Sequence, residues 1–282
     1  MKANLYHKGT QFFYLAEVIL IFILASMLSR HALTQAPAKK DSLTHSQVAA
    51  QVNDPTAPLR LVMLRDVIAP DLPGFNGTGN LFELQPVFPI KSKHFPLQLI
   101  KATIPFVTLP DPKSITGIGD IQIFDLMSFK EKWGRWGAGL GAVFPTASST
   151  DIGAGKWQLG PAIGIIYTHT KNLVAGAVFQ NLISFAGDTE RDVVNQLSIT
   201  PTLTCVFPHG WFGGLSDFDI IFDWENSDGT SVPLGLQAGK VFKIGSNPFS
   251  FSMEVGWNAV KSLQVPVWLF GMELTVILHK IK

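Results

Sequence analysis

Apolar and polar side chains take alternate places along much of this chain. Between residues 249 and 259, Phe249, Phe251, Met253, Val255 and Trp257 fall on one side, and Ser250, Ser252, Glu254, Gly256 and Asn258 on the other. Successive side chains of a strand point to opposite faces, so a period of two predicts a strand with one apolar and one polar face. Residues 196–207 repeat it, with Leu197, Ile199, Leu203, Cys205 and Phe207 opposite Gln196, Ser198, Thr200, Thr202 and Thr204. Residues 217–225 set Phe218, Ile220, Phe222 and Trp224 against Asp217, Asp219, Asp223 and Glu225. Residues 234–242 oppose Leu234, Leu236, Ala238 and Phe242 to Gly235, Gln237 and Gly239. Residues 266–278 oppose Trp268, Phe270, Met272 and Leu274 to Gly271, Glu273 and Thr275. Weaker alternation marks 81–90, 97–106, 120–129, 136–145, 157–167 and 173–185, and 59–68 is the least regular. The sequence therefore predicts about twelve strands, an even number of the kind single-chain bacterial barrels use.

Strand length fits a bilayer. Ten residues rise about 33 Å, and a tilt of about 40° turns that into about 25 Å of membrane normal. The connections give a second test. Outer loops are expected at 69–80, 108–119, 146–156, 186–195, 226–231 and 260–264. Inner turns are expected at 91–96, 130–135, 168–172, 208–214 and 245–248. The first four outer loops exceed every inner turn in length, and the last two do not.

Composition agrees with lipid as the solvent. Charged residues are 15% of the 282, against roughly 25% in soluble domains, and hydrophobic residues are 46%. Such a chain is too apolar for intrinsic disorder. A formal net charge of +1 gives no electrostatic case for nucleic acid. The single Cys205 excludes an internal disulfide framework and a Cys-rich metal site. Beyond the N-terminal region no run of roughly 18 uncharged apolar residues exists, which leaves a closed barrel as the structure able to satisfy its backbone in lipid.

At the N-terminus, Lys2 and Lys8 precede an apolar stretch over 12–28 that Glu17 interrupts. The clean run, 18–28, is too short to span a bilayer and suits a secretory signal, with Ala36-Pro37-Ala38 as the cleavage site. The expected organisation is a cleaved signal over 1–38, a lead-in over 39–58 and an outer-membrane barrel over 59–282. An uncleaved N-terminal anchor is the alternative. A short helix is expected from 42 to 52, with Leu43, Val48 and Val52 as its apolar side, either plugging the bore or lying in the periplasm.

Several segments, taken in order, resemble a known family. They are Gln51-Val52-Asn53-Asp54-Pro55-Thr56-Ala57-Pro58-Leu59, Leu84-Gln85-Pro86-Val87-Phe88-Pro89-Ile90 and Gly117-Ile118-Gly119-Asp120. Trp136-Gly137-Ala138-Gly139, Phe144-Pro145-Thr146-Ala147, Lys156-Trp157-Gln158-Leu159-Gly160-Pro161-Ala162 and Val194-Asn195-Gln196 follow. Asp223-Trp224-Glu225, Val232-Pro233-Leu234 and Val241-Phe242-Lys243-Ile244-Gly245 complete the set. From about residue 47 onward the chain resembles the phenol meta-pathway-associated (MetA) outer-membrane transporter family, whose members are also mislabelled neuromedin U. The resemblance implies a monomeric transmembrane barrel in the outer membrane of a Gram-negative bacterium, tied to uptake of hydrophobic or aromatic compounds, and brings no catalytic residues. The chain departs from outer-membrane barrels in ending Leu278-His279-Lys280-Ile281-Lys282 without a terminal Phe. With 3 Tyr, any interfacial girdle must rely on its 7 Trp and 21 Phe.

The alternation places Glu83, Gln85, Lys101, Asp120, Gln122, Gln158, Gln180, Gln196, Asp219, Asp223, Gln237, Glu254 and Glu273 in the lumen, where charge sets selectivity. The competing reading is that Lys101 and nearby carboxylates pair to fill a narrow bore. Glu254 and Glu273 fall on adjacent strands, where a like-charged pair either titrates together, binds a cation or forms an ordinary wet surface. Gly137, Gly139, Gly141, Gly160 and Gly164 lie opposite the apolar stripe, leaving bore, room for neighbours, or bulges. The cluster Gly187-Asp188-Thr189-Glu190-Arg191-Asp192 reads as a solvated outer loop, or as a contact for divalent cations or lipopolysaccharide. The chain has no Gly-x-Ser-x-Gly or His-Glu-x-x-His motif, and His169, His209 and His279 fall at inner turns or the terminus. The expectation is therefore not an enzyme, with no cofactor and no metal. It is a passive channel or transporter for small, hydrophobic or aromatic solutes, whose partners are membrane lipids and lipopolysaccharide. The alternatives are a closed structural or adhesive barrel acting through its outer loops, and a barrel lipid hydrolase.

Overall fold

The computed structural model describes residues 43–245, 247–260 and 265–280, so the expected signal over 1–38 lies outside the described residues. The strands are β1 (Leu59–Ala69), β2 (Gly79–Ile90), β3 (Leu97–Leu109), β4 (Ile115–Ile118), β5 (Ile121–Lys130), β6 (Gly134–Phe144) and β7 (Lys156–Tyr167). They continue as β8 (Leu173–Gly187), β9 (Asn195–Val206), β10 (Trp211–Leu215), β11 (Ile220–Asp223), β12 (Pro233–Ile244), β13 (Asn247–Asn258) and β14 (Trp268–Lys280). Every pairing is antiparallel, and β14 pairs with β1 from Leu59 to Ile68, closing the ring. β4 and β5 both pair with β3, and β10 and β11 both pair with β9. Each of these two couples is one interrupted wall strand, so the barrel has twelve. Closure through β14 and β1 removes the long edges of an open sheet, while β11 has β9 as its strand partner and a single bridge, Ile221 to Ser231, on its other side.

β7 shows why the sequence chooses this wall. Lys156, Gln158, Gly160, Ala162, Gly164 and Ile166 are buried, while Trp157, Leu159, Pro161, Ile163 and Ile165 between them are exposed. The exposed set is large and apolar here and on β12–β14, reaching 65% exposure at Leu236. This continuous apolar exterior is far more than a water-facing surface carries. Glu254 has 8% of its side chain exposed and Trp257 is exposed, so the two face opposite sides of β13.

The interruption between β10 and β11 overturns one expectation. Residues 208–214 are not all turn, because β10 begins at Trp211. Phe218 was expected outside with Ile220, Phe222 and Trp224, but it is buried at 4% exposure. It lies inside, under the Arg65 guanidinium (5.3 Å to the ring centroid) and over Gly256. Residues 216–219 belong to no strand, so the backbone there is free of the pleat and can turn consecutive side chains inward. The last two outer loops also differ. They span 224–232 and 259–267, because β11 stops at Asp223 and β14 starts at Trp268.

Inward glycines make room for neighbours. A Cβ on Gly256 would lie 2.7 Å from Cδ2 of Phe218, and one on Gly141 would lie 1.5 Å from Nε2 of Gln180. Gly256→Val should therefore destabilise the barrel by about 1–3 kcal/mol through overpacking. The check is the urea midpoint for loss of the compact, heat-modifiable gel band. An unchanged midpoint would show that Phe218 swings away freely.

Candidate functional site

The lead-in enters the barrel at the end with the short turns. Helix α1 (His45–Val52) starts at a capping box: the Gln47 backbone N–H donates to Thr44 Oγ1 (3.2 Å), and the Thr44 N–H donates to Gln47 Oε1 (2.9 Å). Ser46 Oγ donates to the Phe207 carbonyl at the β9–β10 turn. Val48 and Ala49 pack on Val206, Phe212, Val241 and Ile277, which share the inward face of β9, β10, β12 and β14 with cavity-lining or buried polar residues. The chain then crosses to the far wall. Asp54 pairs with Arg135 of β6 (3.6 Å), and the Thr56 carbonyl accepts from Ser128 Oγ (3.3 Å) and Arg135 Nη1 (3.4 Å). Thr56 N–H and Oγ1 both donate to Asp54 Oδ1, at 2.8 and 2.5 Å. Burial raises the Asp54 carboxyl above its ordinary value, opposed by the Thr56 hydrogen bonds and by Arg135. These contacts hold residues 44–57 against inward-facing residues of the barrel.

Above this floor is a cavity of about 370 Å³. At the opposite end, loop 145–155 folds onto the inward side of the β3–β4 hairpin. Ser148 and Ile152 lie where side chains on Gly117 would stand, and the Gly119 Cβ position is bounded by Pro105, Val107 and the Ile152 carbonyl. Arg191 ties the next loop to this one by donating to the Thr150 carbonyl (2.6 Å) and to the Gly153 carbonyl.

Of the thirteen residues that the alternation placed in the lumen, Glu83, Gln85, Lys101, Gln122, Gln180, Gln196, Asp219, Gln237 and Glu273 line this cavity. Gln158 and Glu254 are inward but stand outside its lining. Glu254 lies against Gly271, where its Oε1 accepts from Arg65 Nη2 (2.7 Å) and Nε (3.1 Å), and its Oε2 accepts from the Asp217 N–H (2.8 Å). Asp120 and Asp223 also stand outside the cavity lining, each held by hydrogen bonds near the long-loop end. Asp120 accepts the backbone N–H groups of Ala147 (3.1 Å) and Ala154 (2.6 Å), so the inward-folding loop consumes its carboxylate. Asp223 accepts from Gln196 Nε2 (2.9 Å) and from the N–H groups of Glu225 and Asn226 (both 3.0 Å).

Arg65 and Asp217 line the cavity and were not among the candidates. In register, Arg65 stands directly between Glu83 of β2 and Glu273 of β14, with Glu83 Oε2 at 4.0 Å from Nη1. One guanidinium thus serves Glu83, Glu254 and Glu273. It was missed because β1 has no clean polar side: Leu59 and Leu61 face inward to pack with Ala57 of the floor, while Arg60 and Asp66 fall on the opposite side. The available signal was Arg65 itself, a charge on the same side as Leu59, Leu61 and Met63.

Across the bore from this charged cluster the lining is amide and hydroxyl. Gln122 Nε2 donates to Gln180 Oε1 (2.9 Å), and Thr200 Oγ1 donates to Asp219 Oδ1 (2.5 Å). Phe124, Leu99 and Val178 add apolar surface. The arrangement can hold a small molecule with one polar side and one apolar side.

An apolar exterior, a polar interior and a closed antiparallel wall define the class as a β-barrel built like those that span membranes. The chain is similar to the crystal structure of the COG4313 outer membrane channel from Pseudomonas putida F1, with a TM-score of 0.54 and 10% sequence identity over 86% of this chain and 99% of that one. No family model and no curated protein matches the chain. At 10% identity the likeness is one of fold.

Proposed function

We propose that this protein is an outer-membrane barrel whose lumen binds or passes small solutes, amphipathic or aromatic in character, without catalysis. The observation behind this reading is the cavity itself, enclosed by a wall that is apolar outside and lined with carboxylates, amides, Arg65 and Lys101 inside. The fold likeness to an outer membrane channel and the resemblance to the MetA family support the same reading. Among the described residues no His lines the cavity, so a Ser–His hydrolase there is disfavoured. A second reading, a closed barrel acting through its outer loops, is favoured by the floor that α1 and residues 53–58 build across the bore.

Single-channel recording in planar bilayers separates the two. Discrete current steps are expected of a conducting lumen; a silent, correctly folded protein would leave the closed barrel standing. Lys101→Glu adds a carboxylate to a lining already rich in them, so it should shift the reversal potential under a salt gradient toward cation preference. Unchanged selectivity would remove Lys101 from the conducting path.

A further inference from the structure

The two ends of the barrel carry opposite charge. At the short-turn end, Lys93, Lys130, Lys132, Lys171 and Lys243 are exposed, and Glu131 is the one acidic residue in turns 91–96, 131–133, 168–172 and 207–210. The long loops hold Asp71, Asp111, Asp151, Asp188, Glu190 and Asp192. Among the described residues of these loops, Lys113 pairs with Asp151 (2.7 Å) and Arg191 donates to two loop carbonyls.

The lysine-rich end is also aromatic. Phe95 is 73% exposed and Trp133 is exposed, both within the basic turns. Below them on the outward face, Lys240 Nζ sits 4.8 Å over the Trp211 ring, and Phe129 stacks on Trp136 at 4.3 Å. Ammonium groups held just above an apolar girdle, with rings between, match the level of lipid phosphates. A zwitterionic headgroup offsets its own phosphate; an anionic one does not.

We infer that this basic, aromatic collar is a docking surface for anionic phospholipid headgroups of the phosphatidylglycerol type. The inference rests on the membrane reading above. Each lysine near such a surface contributes about fivefold in affinity, so five together set a strong preference even after partial screening.

The test uses the full chain refolded in a neutral detergent and offered equal phosphatidylglycerol and phosphatidylcholine, with the co-purified lipid quantified by mass spectrometry. Wild type should retain phosphatidylglycerol over phosphatidylcholine by about tenfold at low salt, falling several-fold at high salt. A chain with Lys93→Gln, Lys130→Gln, Lys132→Gln, Lys171→Gln and Lys243→Gln should retain the two about equally. A variant that keeps the wild-type preference overturns the inference. Should the variant fail to fold, the wild type decides alone, because a preference insensitive to salt also overturns it. Heat-modifiable migration reads the barrel separately. A wild type that lacks it overturns the membrane reading and this inference together. One that has it but retains both lipids equally overturns this inference alone.

Discussion

Arg65→Ala is expected to lower the stability of the barrel by about 3–5 kcal/mol, read as the urea midpoint for loss of the heat-modifiable band. The Arg65 and Glu254 side chains are 15% and 8% exposed, so the pair is largely withdrawn from water. Removing the guanidinium deprives Glu254, Glu83 and Glu273 of the cation they share and uncovers the face of Phe218. The loss is chiefly the cost of stranded carboxylates rather than the worth of the ion pair. Arg65→Met combined with Glu254→Leu should therefore recover much of the stability that Arg65→Ala removes. If the double variant is no better than the single one, the cluster owes its stability to the 2.7 Å bond itself.

Val48→Asp should release the floor. It sets a carboxylate against Val206, Phe212, Val241 and Ile277, at a desolvation cost of several kcal/mol. The capping box, the Ser46 bond to Phe207 and the Asp54–Arg135 pair contribute about 1 kcal/mol each and do not offset that. The wall strands are untouched, so the folded barrel should persist while residues 43–58 become open to protease. Conductance should rise several-fold, since the segment that crosses the bore has left it. Protease cleavage without a change in current would show that the barrier lies elsewhere, with loop 145–155 the next element to test.

The strands were legible in the sequence wherever one side met an apolar exterior and the other a polar interior. β13 is such a case, and the alternation places both its ends within two residues. β1 was the least regular because its inner side meets protein, the floor, rather than water, and Leu59 and Leu61 answer to that contact. Phe218 was placed on the wrong side because a period of two has no meaning where the backbone leaves the sheet. The engagement of Asp120 by loop 145–155 is not legible in the sequence, because its partners are backbone N–H groups far along the chain, which no residue type announces. The plug left a trace. Val206, Val241 and Ile277 break the polar side of their strands at the same end of the barrel, and the Val48 side of α1 is what covers them.

The bargain between Gly256 and Phe218, and between Gly141 and Gln180, has a consequence for how this protein can change. Bulk inside the wall is shared across strands, with one member of each couple giving up its side chain so that the other can lie flat. A variant that gains a side chain at residue 256 should be rescued by shedding one at 218, and matched exchanges of this kind are a route to a reshaped lumen.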